Sequence, residues 1–193
     1  MGSKERILRK KTKVSEEIFK VAMDILASEG IDGISIRKIA SRIEYSPPVI
    51  YAHYRDKNEL INKMVSVGFA MLRKQISLDK SKSNKPIFQL EHLFHNYIDF
   101  AIANKPLYLL MSRKAVERIG TDTLDDAEDF AKFCKEKIQS LLPLEKNSLV
   151  INQIYNSMIS LVHGLICTCY ATNTFSVKER DYAIRTMISG FTG

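Results

Sequence analysis

The chain has 193 residues, of which 45% are hydrophobic and 26% charged, with a formal net charge of +7. That length can bury one large core or two small ones, and the lack of tryptophan, few glycines and prolines and abundant Leu, Ile, Lys and Glu favour an all-α protein. An odd count of three cysteines provides no disulfide framework and fits a reducing cytoplasm, the charged N-terminus lacks a signal peptide's apolar segment, and Arg6 stands where a myristoylation signal requires Ser or Thr.

In chain order, residues 1–13 carry a net +5, from Lys4, Arg6, Arg9, Lys10, Lys11 and Lys13 against Glu5. The first predicted helix runs from Thr12 to Glu29, with Ile18, Val21, Ala22, Ile25 and Leu26 on its core face and Gly30 as its C-terminal stop. Residues 14–33 are acidic at −4, and residues 34–57 return to +3. Positive charge thus brackets an acidic scaffold helix, the footprint expected of a nucleic-acid reader.

Residues 33–60 read as a helix-turn-helix with a third helix directly behind it. Ser35 is a hydroxyl cap for a short helix that buries Ile36, Ile39, Ala40 and Ile43. Ser46 caps a second short helix, with Pro47 and Pro48 in its first turn, where the backbone N–H groups need no intrahelical partner. Ile50 and Tyr54 give that helix one stripe to bury, and Val49, Ala52 and His53 leave its other face bare. A short helix packed on one side only suits the major groove.

The set Gly30, Ser35, Arg37, Ile39-Ala40, Ser46, Tyr51, His53-Tyr54, Lys57 and Leu60 resembles, at fixed offsets across residues 30–60, the TetR family of transcriptional regulators. The resemblance implies residues 1–56 as a DNA-binding domain with a basic arm and residues 57–193 as a helical ligand-binding and dimerisation domain. It also implies double-stranded DNA, a second copy of the chain and a small-molecule effector as partners, with no cofactor, no metal and no membrane. Arg37 stands where the family places a base-contacting arginine; a guanine contact and a phosphate contact are both open to it. Ser35, Ser46, Tyr51, His53 and Lys57 match the family's phosphate-contacting set. Pro47, Pro48, Val49 and Ala52 have no side-chain donors, so in a groove they read thymine methyls and shape. Two departures stand out. Glu44 replaces the usual turn glycine and is expected to adopt a left-handed conformation, and Pro48 lacks a backbone donor.

Beyond this motif, a long helix from Lys57 to Ile76 is predicted to join the two domains, and Asp79–Pro86 reads as a loop. Amphipathic helices follow over Ile87–Ala103, from Pro106 onward and over Asp122–Leu142. The stretch Asn147–Val177 contains no charged residue, but polar side chains such as Asn152, Asn156 and His163 interrupt it. It is therefore read as a soluble protein's helix, buried over most of its circumference, rather than a membrane span. Ser176 with Glu179 forms a capping box for the last helix, which buries Ile184, Met187, Ile188 and Phe191.

Within the uncharged helix, Ser160, Gly164 and Thr168 form a small-residue strip that would let a partner helix approach. By the family's pattern this strip, with Ile184 and Ile188, is assigned to the dimer interface. Phe94, Tyr97, Tyr108, Met111, Tyr155 and Met158 suit an apolar effector pocket. His92, His95 and Asp99 share a helix face that would allow a metal site, but a polar rim is the simpler reading. Cys167 and Cys169 point apart and are read as ordinary buried cysteines. No Ser/His/Asp set or carboxylate pair supports an enzyme. The competing class is a helical small-molecule binder without DNA affinity.

Overall fold

The computed structural model describes residues 3–78, 84–117, 125–145, 147–172 and 176–192. These form nine helices and no strand: α1 (Ser3–Gly33), α2 (Ile36–Arg42), α3 (Pro47–Tyr51), α4 (Lys57–Leu78), α5 (Pro86–Ala103), α6 (Lys105–Glu117), α7 (Asp125–Leu141), α8 (Ser148–Thr172) and α9 (Val177–Thr192). The all-α expectation holds. Most of the predicted loop Asp79–Pro86, and the first residues of the helix predicted from Asp122, lie outside the described residues.

α1 differs from its prediction at its start. It is helical from Ser3, although nothing between Leu8 and Lys13 is buried; from Leu8 onward the first buried side chain is Val14. Apolar periodicity cannot reveal a helix with no face to bury. Its end is as expected: Gly30 takes φ 74°, and only a short helical piece continues to Gly33. Ile18, Ala22, Ile25 and Leu26 then pack against Ile34, Ile39, Ile50 and Leu60, all within one contiguous core.

α4 is the shared spine, touching α1 near its start and α5, α6 and α7 along its length. At Gly68 a Cβ atom would come within 2.5 Å of Met111 Sδ, so glycine here allows α6 to sit close on α4. α6 also contacts α1, which gives the C-terminal helices a second route to the N-terminal ones. α5 lies at the centre of the C-terminal group, packed by α4, α6, α7, α8 and α9. The capping box at α9 is present: Ser176 N donates to Glu179 Oε2 at 2.7 Å and Glu179 N donates to Ser176 Oγ at 3.3 Å.

α8 corrects the expectation of burial round most of its circumference. Only Ile151, Met158, Val162 and Ile166 are buried. By length and composition it is long and apolar enough to cross a membrane, and α5, α7 and α9 pack against it. Its outer face, including Gln153, Ser157, Ser160, Leu161, Gly164 and Thr168, is exposed and carries no charge.

Candidate DNA interface

The turn between α2 and α3 is a Schellman motif. Glu44 occupies the left-handed position at φ 58°, Tyr45 N donates to Ala40 O at 2.9 Å, and Glu44 N donates to Ser41 O at 3.3 Å. Satisfying two α2 carbonyls offsets the roughly 1–2 kcal/mol cost of placing a Cβ residue there. The motif fixes the angle at which α3 leaves α2.

α3 has five residues and is anchored by Ile50, which is fully buried. Tyr54, just beyond it, is buried with its hydroxyl 3.4 Å from Ser15 Oγ on α1. The side turned away from this anchor exposes Ser46, Pro48, Tyr51 and Ala52, while Pro47 and His53 are half-buried. Val49 differs from its sequence assignment: it is half-buried against the core and only partly available to a groove. Ser35 and Ser46 hold the N-cap backbone positions of α2 and α3, but neither hydroxyl makes a capping hydrogen bond. They are hydroxyl donors at helix starts, where an anion is favoured.

The cations of α2 are divided in use. Glu29, at the end of α1, receives Lys38 Nζ at 2.5 Å and Arg42 Nη2 at 2.7 Å, and the Lys38 hydrogen bond leads the causes that hold its carboxyl below the usual range. These pairs tie the recognition motif to its scaffold, and sequence reasoning missed them because the partners lie 9 and 13 positions apart. Arg37 is exposed and makes no ion pair among the described residues, so its guanidinium is available to a ligand. Lys57, half-buried, opens α4. There Asp56 Oδ1 accepts Glu59 N at 2.8 Å, a bond that leads the causes of the lowered Asp56 pKa. Burial, followed by the charge of Lys11, lowers the His53 pKa. Lys11 therefore stands close to the recognition helix, a neighbour the sequence does not reveal.

The C-terminal assignments are placed as follows. Phe94, Tyr108, Met111 and Met158 are at most 3% exposed and belong to the core. Tyr97 stacks on Phe130 at 5.7 Å and meets Tyr108 edge-on at 5.9 Å, and the Tyr108 hydroxyl lies 2.7 Å from His163 Nδ1. Tyr155 is half-buried beside Lys135. Met111 serves the α4–α6 contact. Ser160, Gly164 and Thr168 are exposed as a strip, whereas Ile184 and Ile188 point into the protomer at 1% and 0% exposure. The outward residues of α9 include Tyr182, Thr186 and Gly190, which with Leu161 and Leu165 of α8 line an apolar groove of about 600 Å³. His92, His95 and Asp99 engage separate partners (Asn96, Asp181 and Arg180), the polar-rim arrangement. Cys134 is buried as expected of a free cysteine, but Cys167 is exposed on α8, 3.6 Å from His163 Nε2.

Comparison with known proteins bears on the recognition motif directly. Residues 18–64 match the family model for bacterial regulatory proteins of the tetR family. An uncharacterised HTH-type transcriptional regulator of Bacillus subtilis, YobS, is 25% identical over 90% of both chains. Residues 18–64 are thus a tetR-family N-terminal domain. The class A tetracycline repressor from transposon 1721 of Escherichia coli is 32% identical over 53 residues, covering 28% of this chain and 24% of that one. A solved TetR-like regulator from Rhodococcus sp. RHA1 shares the fold with TM-score 0.68 at 15% identity, covering 92% of this chain and 95% of that one. A tetR-family protein from Shewanella sp. PV-4 does so with TM-score 0.71 at 14% identity, over 91% and 96%. A chain with this N-terminal domain is a DNA-binding transcriptional regulator, and the surface formed by α2, α3 and the start of α4 is its candidate DNA interface. A helical binder without DNA affinity would leave that surface without a role.

Proposed function

We propose that the chain is a ligand-responsive repressor that binds a pseudo-palindromic operator as a homodimer in the cytoplasm, with residues 1–56 reading DNA and residues 57–193 pairing and sensing. The observation that carries the dimer is the uncharged, exposed outer face of α8 beside the apolar α8–α9 groove. A face of this kind is a liability in water and an asset when a second copy covers it. The Ser160/Gly164/Thr168 strip lets two such helices approach closely, and added bulk at Gly164 would meet nothing in the protomer itself. The repressor role is supported by the similarity of the N-terminal segment to a protein named tetracycline repressor.

In this reading Ser35, Ser46, Tyr51, His53 and Lys57 hold phosphates, while Arg37, Pro47, Pro48 and Ala52 face the bases, with Val49 at the edge. The effector is a largely apolar molecule held among α5, α7 and α8. Tyr97 and Tyr155 are only half-buried by surface, yet desolvation raises the pKa of both hydroxyls, Tyr97 well above its usual value. An effector there would act through α6, which touches both α4 and α1, and it can shift DNA affinity only by its preference for the released conformation.

The test is selection of bound sequences from random duplexes, followed by release with a panel of apolar small molecules. Recovered sites should be inverted repeats, and at least one compound should release the native chain but not Tyr97→Arg. Asymmetric sites would refute the dimeric reader, and equal release of the variant would move the effector site elsewhere.

A further inference from the structure

His163 and Cys167 stand four residues apart on α8, one turn along the same edge of the helix. Their donor atoms face each other, with Cys167 Sγ 3.6 Å from His163 Nε2. That separation is the bite of a tetrahedral zinc ion. Bonds of about 2.0–2.1 Å to nitrogen and about 2.3 Å to sulfur put two such donors about 3.6 Å apart. The imidazole is also held from behind. Its Nδ1 lies 2.7 Å from the hydroxyl of Tyr108, a residue only 1% exposed whose ring packs on the His163 ring. In the tautomer that donates Nδ1–H to this hydroxyl, Nε2 keeps a lone pair on the side of the thiol. An outer partner of this kind orients a metal-binding histidine.

One protomer does not complete the shell. Among the described residues no three His, Cys, Asp or Glu side chains stand together as a metal group, and a closed tetrahedral site needs four ligands. A second copy can supply the rest. Cys167 is exposed and His163 half-buried at the edge of the face that carries Ser160, Gly164 and Thr168. The two ligands bracket Gly164, where an added Cβ would meet nothing within 4 Å. Two α8 helices that cross at this glycine, about a twofold axis perpendicular to both, bring equal edges to the same side of the crossing. His163 and Cys167 of each copy then converge. Charge names the ion. α8 carries no charged residue, and a divalent cation with two thiolates and two neutral imidazoles is neutral, so the joint closes over it without an unpaired charge. Thiolate with imidazole suits zinc rather than magnesium or calcium.

We propose that His163 and Cys167 are half of a two-cysteine, two-histidine zinc site that closes across the α8 joint of two copies. The site rests on the homodimer proposed above and adds to it a ligand that clasps the joint. Each thiol releases its proton to solvent as its sulfur binds the ion, so two protons leave per zinc and affinity rises with pH. Cys169, two residues on, points away and lines a separate recess with Asp99 and Arg180.

In the experiment the metal-free full chain is titrated with zinc against a chromophoric chelator, and separately with cobalt(II), whose sulfur-to-metal charge-transfer band reports thiolate ligation. Sedimentation velocity is run on the same samples with and without zinc. Cys167→Ser and His163→Gln are the test variants and Cys169→Ser the control, with circular dichroism as the check on folding. Because Cys167 is exposed, serine there leaves the core untouched. The expected result is a dimer that binds one zinc ion per two chains and shows the thiolate band with cobalt. Cys167→Ser should abolish the band and weaken zinc binding by more than about a hundredfold, beyond the roughly 10–100-fold that loss of an outer partner costs. His163→Gln should weaken zinc binding while keeping a sulfur band, and Cys169→Ser should behave as the native chain. A dimer that takes up no zinc, or whose Cys167→Ser variant keeps its zinc, would overturn the site and leave the pairing intact. One ion per chain would overturn the bridge. A native chain that is monomeric both with and without zinc would overturn the pairing and the site together.

Discussion

The recognition surface of α2–α3 and the outer face of α8 both expose small and apolar side chains, yet they are built for different partners. Around α3, the exposed Pro48 and Ala52 sit among Arg37, His53 and Lys57, with Lys11 beside them. The α8 face has no charged residue anywhere along it, and its margin opens into the apolar groove shared with α9. An apolar surface ringed by cations fits a polyanion that presents methyl groups and shape, whereas an apolar surface ringed by nothing charged fits another copy of itself. The nature of the surroundings, more than apolarity, separates a reading head from a pairing face.

Within the reading head, the largest effect should come from separating Arg37 from Lys57. Arg37→Ala is expected to cost about 1–3 kcal/mol on the best sites and to relax one base position. Lys57→Ala should weaken all sequences alike and lower the salt slope by about one. Binding measured on a set of single-base operator variants distinguishes the two. An Arg37→Ala effect spread evenly over those variants would make it a phosphate contact too.

A smaller effect is expected from His53. Burial and then Lys11 lower its pKa from 6.5 in the free protein, so it is mainly neutral there near pH 7. A phosphate brought against it favours the charged form, so binding takes up a proton and DNA affinity should rise as pH falls from about 7.5 to about 6, by at most tenfold per unit of pKa difference. The His53→Gln variant should flatten that dependence. An identical pH profile in the variant would remove His53 from the contact set. The fold responds in the opposite sense: stability contributed by the neutral imidazole is present above its unfolded pKa and is lost as pH falls through the lowered value.

Features legible in the sequence were those fixed by neighbours a few residues away. Gly30 ending its helix, Glu44 in the left-handed turn position, Pro47 and Pro48 opening α3 and the Ser176–Glu179 box all depend on local backbone chemistry, and all are as expected. Ser35 and Ser46 were placed correctly, but whether a hydroxyl turns back to its own helix is a rotamer choice that residue type does not determine. The helical start at Ser3 was invisible because the exposed stretch Leu8–Lys13 has no apolar periodicity to mark a helix. Ile184 and Ile188 show the converse difficulty. Their spacing identifies an apolar face of α9 but not which of two neighbours covers it, and α5 and α8 of the same protomer do so. The same ambiguity put Met111 in a pocket when it fills the space above Gly68. The Glu29 clamp on Lys38 and Arg42 depends on the angle between two helices, which no local pattern encodes.

The central claim is that the reading heads work in pairs because α8 and α9 join two copies, and sedimentation velocity of the native chain and of Leu161→Glu at micromolar concentration tests it most directly. Leu161 is 55% exposed and lines the α8–α9 groove, so a carboxylate there should leave the protomer folded while placing two like charges in the joint. The native chain should sediment as a dimer and Leu161→Glu as a folded monomer that no longer binds the operator. A native monomer, or a variant that remains dimeric, would contradict the account.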